Sequence, residues 1–104
     1  MAAADRLTDV QRRTLEALRA RPVGPAYLSG CIWPDHVALR KGKAPGTGLV
    51  RPMLAVLARL KKAGLVRWYS VDDAPVVWDL TSLGAQAIGV GVREQVEIMK
   101  RGRL

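Results

Sequence analysis

The sequence predicts a mainly α-helical domain carrying one small β-hairpin. Apolar residues recur at helical spacing over 7–20 and again over 49–63. Two β-rich runs, 65–71 and 76–80, flank Asp72-Asp73-Ala74-Pro75. Threonine, glycine and proline stand where these segments should begin and end. A chain of 104 residues is long enough for one core, which the composition would build mostly from Leu, Val and Ala.

Thr8-Asp9-Val10-Gln11 reads as a capping box, in which the Thr8 hydroxyl and the Gln11 side chain satisfy each other's free backbone donors. Helix one follows to about Ala20, with Leu7, Val10, Thr14, Ala17 and Leu18 on one face. Pro22, Gly24 and Pro25 break it. A second short helix over 26–32 stops at Trp33-Pro34, because the residue before a proline disfavours helix; Tyr27, Leu28, Cys31 and Ile32 are its expected buried side. The segment 35–48, with three glycines and a proline around Arg40, Lys41 and Lys43, reads as a mobile loop. Helix three then turns Leu49, Met53, Val56, Leu57 and Leu60 inward and Arg51, Ala55, Ala58, Arg59 and Lys62 outward, and Gly64 supplies a left-handed C-cap. Pro52 requires that this helix begin near Arg51 or slightly earlier. After the hairpin, whose second strand puts Trp78 and Leu80 on one face toward helix three, Thr81 caps a helix through Ile88. Gly89 and Gly91 interrupt it, and 92–100 resumes with Val92, Val96 and Met99 on a stripe and Glu97 four residues before Arg101.

Charge narrows the function. Seventeen Lys and Arg against nine Asp and Glu give a net charge of +8, a surface that attracts polyanions because neutralised phosphates release counterions. No acid occurs between Asp35 and Asp72, whereas Arg40, Lys41, Lys43, Arg51, Arg59, Lys61, Lys62 and Arg67 all fall there. One cysteine and one histidine leave no thiolate zinc site, no two-histidine metal site and no intrachain disulfide, so a reducing cytoplasmic setting is expected. Met1-Ala2-Ala3-Ala4-Asp5-Arg6 has no apolar signal region and no run is long enough to span a membrane, so neither secretion nor insertion is expected.

The most specific stretch is Leu57-Ala58-Arg59-Leu60-Lys61-Lys62-Ala63-Gly64-Leu65-Val66-Arg67, followed by Val77-Trp78-Asp79-Leu80-Thr81-Ser82-Leu83-Gly84. It resembles the pattern by which bacterial regulators of the MarR, PadR and ArsR kind leave the recognition helix, form the wing and start the next helix. Physically, Leu57 and Leu60 anchor the helix, Gly64 turns the chain, Leu65 returns to the core, and Gly84 allows close packing on the sheet. The resemblance covers about 7–88 and implies a winged helix-turn-helix, order α-α-α-β-β-α, over 1–91 with a C-terminal helical extension over 92–104. The connection between helices two and three is longer than in a simple helix-turn-helix, as in looser phage and actinobacterial variants, and the wing tip is acidic.

The resemblance implies a sequence-specific double-stranded DNA-binding protein, a transcriptional regulator and not an enzyme, with no cofactor, metal or small-molecule ligand. Helix three would enter the major groove, with Arg51 and Arg59 toward bases and Lys62 toward phosphate. Arg40, Lys41, Lys43 and Thr47 of the loop would lie on the phosphate backbone, and Arg67 on the first wing strand completes the contact set. Alternative readings are a winged helix that docks on part of the transcription or replication machinery, favoured by the acidic wing, and a nucleic-acid binder indifferent to sequence. Lys43 precedes Gly46, which is the wrong order for a phosphate-binding loop. Cys31 reads as a small buried hydrophobe, His36 lies in no catalytic motif, and Trp33 and Trp78 read as core anchors, leaving Trp68 as the exposed tryptophan. The Val92, Val96 and Met99 stripe would either fold back on its own domain or form a homodimer seam.

Overall fold

The computed structural model describes residues 7–33, 50–70 and 72–101. Helix α1, Asp9–Ala20, opens with the expected capping box: the Gln11 amide donates to Thr8 Oγ1 at 3.1 Å and the Thr8 amide to Gln11 Oε1 at 3.0 Å. It buries Thr14, Leu15 and Leu18. The Thr14 hydroxyl donates to the Val10 carbonyl at 2.7 Å, so a polar side chain enters the core with its hydrogen bond made. After α1 the chain runs extended, and Val23 pairs with Trp78 through amides donating both ways, at 3.1 and 2.8 Å.

Helix α2, Pro25–Ile32, begins with proline in its first turn, where the missing N–H costs nothing. Its buried residues are Leu28, Ser29 and Ile32. Tyr27 and Cys31, expected inside, are exposed instead. The Ser29 hydroxyl donates to the Ala26 carbonyl at 2.7 Å. With serine so satisfied, the helix turns its Leu28–Ser29–Ile32 side inward and rotates Tyr27 and Cys31 to the surface, where the Arg21 guanidinium lies 4.8 Å from the Tyr27 ring centre.

Helix α3, Val50–Lys62, keeps Pro52 in its first turn and buries Met53, Leu57 and Leu60. Gly64 closes it at φ +80°, with the Leu65 amide donating to the Leu60 carbonyl at 2.9 Å. Strands β1, Val66–Tyr69, and β2, Val77–Leu80, form an antiparallel hairpin in the register Val66↔Leu80, Arg67↔Asp79, Trp68↔Trp78, Tyr69↔Val77. Both are shorter than the β-rich runs because Asp72 and Asp73 each take positive φ, 50° and 62°, and Ser70 is already turning, its hydroxyl donating to the Ala74 carbonyl at 2.5 Å.

Helix α4, Ser82–Ala87, is capped by Thr81, whose Oγ1 accepts from the Gly84 amide at 3.1 Å. Helix α5, Val92–Lys100, packs on α4. The core gathers Leu15, Leu18, Leu28, Met53, Leu57, Leu60, Leu65 and Leu80, with Val90 and Ile98 contributed from the C-terminal side. The second strand packs against α1 as well as β1, while α3 packs against α2 and β1. The chain is thus mainly helical with one two-stranded hairpin, and no helix among the described residues is long and apolar enough to cross a membrane.

Candidate nucleic-acid interface

With Met53, Leu57 and Leu60 turned into the core, the helical period leaves Arg51, Ala55, Ala58, Arg59, Lys61 and Lys62 of α3 exposed. The helix contains no acid. Among the described residues, Arg51, Arg59 and Lys62 have no ion-pair or hydrogen-bond partner. Ala55 and Ala58 lie between the cations and have no bulk, so another surface can approach the helix backbone closely. Three of the cations occupy the last turn, where they also complement the negative end of the helix dipole. Arg59 borders a groove of about 350 Å³ between α3 and the start of α1, lined by Thr8, Gln11, Pro52 and Ala55 among others. Arg40, Lys41, Lys43 and Thr47, together with His36, lie outside the described residues.

Arg67 does not join this face. In the β1–β2 register it stands opposite Asp79, on the side of the hairpin that faces α5. Its Nη2 donates to the Ile98 and Met99 carbonyls at 3.2 and 3.4 Å and lies 3.5 Å from Asp79 Oδ2. The expected role of Arg67 as a DNA contact is therefore revised: its guanidinium is occupied inside the protein. Asp79 is completely buried. Its carboxylate also accepts from the Tyr69 hydroxyl at 3.0 Å, from the Leu80 amide at 2.7 Å and from Arg101, whose Nε lies at 3.0 Å and whose Nη2 is closer still. Arg101 goes on to donate to the Leu18 carbonyl at 2.6 Å and the Arg19 carbonyl at 3.3 Å. Burial, then the Asp79 charge, raises the Tyr69 phenol above its ordinary 10.0.

The network replaces the expected Glu97–Arg101 pair, because a buried carboxylate offers Arg101 more than an exposed one a turn away. Sequence reading missed it. The one available signal was an acid set between Trp78 and Leu80 in a strand otherwise made of Val, Trp and Leu, which alternation puts on the face away from helix three. A second tie holds α5 at its other end, where Arg19 Nε donates to Glu94 Oε2 at 2.6 Å; that hydrogen bond lowers the Glu94 carboxyl and raises the Arg19 guanidinium. Along α5, Ile98 enters the core, Met99 is half-buried, and Val92 and Val96 are exposed.

The opposite side of the hairpin carries Trp68 and Trp78. Trp78 is half-buried against the core, as is Trp33, and Trp68 is 50% exposed. With Pro25, Leu54 and Val76 they line an apolar groove of about 440 Å³ beside α3. The Lys61 ammonium sits 5.3 Å from the Trp68 ring centre. Asp72 and Asp73 are exposed at the hairpin tip. Cys31, expected as a buried hydrophobe, is a free thiol at the surface, and no cluster of three His, Cys, Asp or Glu fit to hold a metal occurs among the described residues.

Comparison with protein-family models, with curated proteins and with solved structures finds no match for this chain.

Proposed function

We propose that the chain is a winged helix-turn-helix protein of the cytoplasm that binds double-stranded DNA sequence-specifically and regulates transcription, without catalysis or cofactor. The observation that carries this reading is the exposed face of α3, which bears Arg51, Arg59, Lys61 and Lys62, no acid, and alanines between them. The fold reading is supported by the order of elements, helix, short helix, helix, hairpin, helix, which is the order the resemblance implies.

In this reading α3 lies in the major groove. Arg51 and Arg59 present planar forks able to reach two acceptors of a guanine, Lys62 neutralises phosphate, and Arg40, Lys41, Lys43 and Thr47 lie along the backbone. Arg67 is left out of the contact set because Asp79 and two α5 carbonyls hold it. Asp72 and Asp73 keep the hairpin tip off the phosphates. The exposed Val92 and Val96 favour pairing of two copies through α5, which would present two α3 helices to a two-fold symmetric site.

The test is a titration of the protein against its own upstream region and against random duplex, at two salt concentrations. Specific binding is expected on the upstream duplex. Arg51→Ala and Arg59→Ala should each lose ~1–3 kcal/mol there and much less on random duplex. Equal losses on both duplexes would make these residues backbone contacts. Absence of binding to either duplex would refute the DNA reading and leave docking on a protein, which the acidic tip favours.

A further inference from the structure

We infer that the groove between α3 and the hairpin receives a single unpaired base, so that the protein prefers DNA in which one base lies outside the duplex stack. The inference rests on the DNA reading above and adds to it a second mode of contact. Three observations carry it. Trp68 is a large aromatic left half in solvent, although the core is complete without it. The walls of the groove, Pro25, Leu54, Val76 and Trp78, are apolar, so the site has no hydrogen-bond pattern by which to choose one base over another. A flat ring is what such a slot accepts, and every base has one. Lys61 stands over Trp68 at 5.3 Å, so a strand whose base enters the groove has a positive charge at its edge to meet the adjoining phosphate.

The acids fit the same geometry. Asp72 and Asp73 stand at the tip of the hairpin, beyond Trp68 along the strand, and repel a backbone that would run outward along it. The strand is thereby confined to the α3 side. An acidic peptide carrying an apolar side chain is the competing occupant; it meets the same cation, but with a backbone that needs hydrogen-bond partners the groove walls do not supply.

The experiment uses the full chain and two duplexes of one sequence, one fully paired and one with a single bulged 2-aminopurine. The bulged duplex should bind about tenfold more tightly, the factor equivalent to ~1.4 kcal/mol of stacking. Its fluorescence should fall on binding as the base stacks on indole. Trp68→Ala should abolish both the preference and the quenching while affinity for the paired duplex is kept, and Trp68→Phe should keep most of the preference. Equal affinity for the two duplexes, or brightening of the 2-aminopurine on binding, would overturn the proposal while the DNA reading stands. Failure to bind either duplex would remove the DNA reading and this proposal with it. Displacement of the bulged duplex from the groove by a ten-residue peptide of alternating Glu and Leu, with the paired duplex still bound, would assign the groove to a protein partner instead.

Discussion

Asp79 carries the highest local stakes in the molecule. A carboxylate taken wholly out of water costs several kcal/mol, and that cost is offset only while Arg67, Arg101, Tyr69 and the Leu80 amide all remain in place. Such a group adds little net stability, but it fixes register. Slipping the hairpin by one residue would carry Asp79 to the side of Trp68 and Trp78, away from Arg67 and Arg101. Tyr69 makes this network sensitive to alkali. Because its phenol is raised in the folded state, its contribution is fully present below the ordinary value of 10.0 and is lost as pH rises through the higher folded value. The melting temperature of Tyr69→Phe should therefore fall less steeply than that of the unaltered chain as pH goes from about 9 to 11, whereas at neutral pH the variant should be ~1 kcal/mol less stable for want of the hydrogen bond to Asp79. Parallel melting curves across that range would show that the phenol does not titrate in the fold.

Among the elements, the sharpest constraint lies where α4 meets the end of α3. A Cβ on Gly84 would stand 1.9 Å from the Leu65 carbonyl oxygen, an atom of backbone that already accepts from the Thr81 amide. Gly84→Ala should force α4 away from the hairpin and cost at least ~1–3 kcal/mol. Gly30→Ala serves as its control, since nothing lies within 4 Å of the added atom and the position is helical; it should gain ~0.5–1 kcal/mol. Thermal melting of the two variants decides, and a similar effect of both would mean that α4 is free to move. These positions were legible in the sequence because their chemistry is local: Thr8 with Gln11, Gly64 after a helix, and Thr81 three residues before Gly84. The exposed face of α3 was legible for the same reason, through a period that four buried or half-buried residues enforce. Three features were not. Val23 pairs as a single residue and has no periodicity to betray it; the burial of α2 turned on a serine satisfied within its own helix; and the occupation of Arg67 depends on carbonyls about thirty residues further along the chain.

At the scale of the whole molecule, the C-terminal helix is held at both ends, by Glu94 on Arg19 and by Arg101 on Asp79, and Ile98 reaches the core between them. A division into a domain over 1–91 and an appended helix understates this attachment. Truncation after Gly91 should destabilise the remainder by ~3–5 kcal/mol through the Asp79 carboxylate that loses Arg101, with a further loss for the place of Ile98. Urea titration of the two chains measures it, and an unchanged midpoint would make α5 a true appendage. The same tie bears on time as well as on depth of stability. The bond from Arg101 to the Leu18 carbonyl joins residues 83 apart in sequence, and contacts of that range close after the local turns and helices have formed. Interactions absent from the transition state leave the folding rate alone and slow the escape from the native basin. Arg101→Ala should accordingly raise the unfolding rate more than it lowers the folding rate, and the two arms of a chevron measurement read that partition.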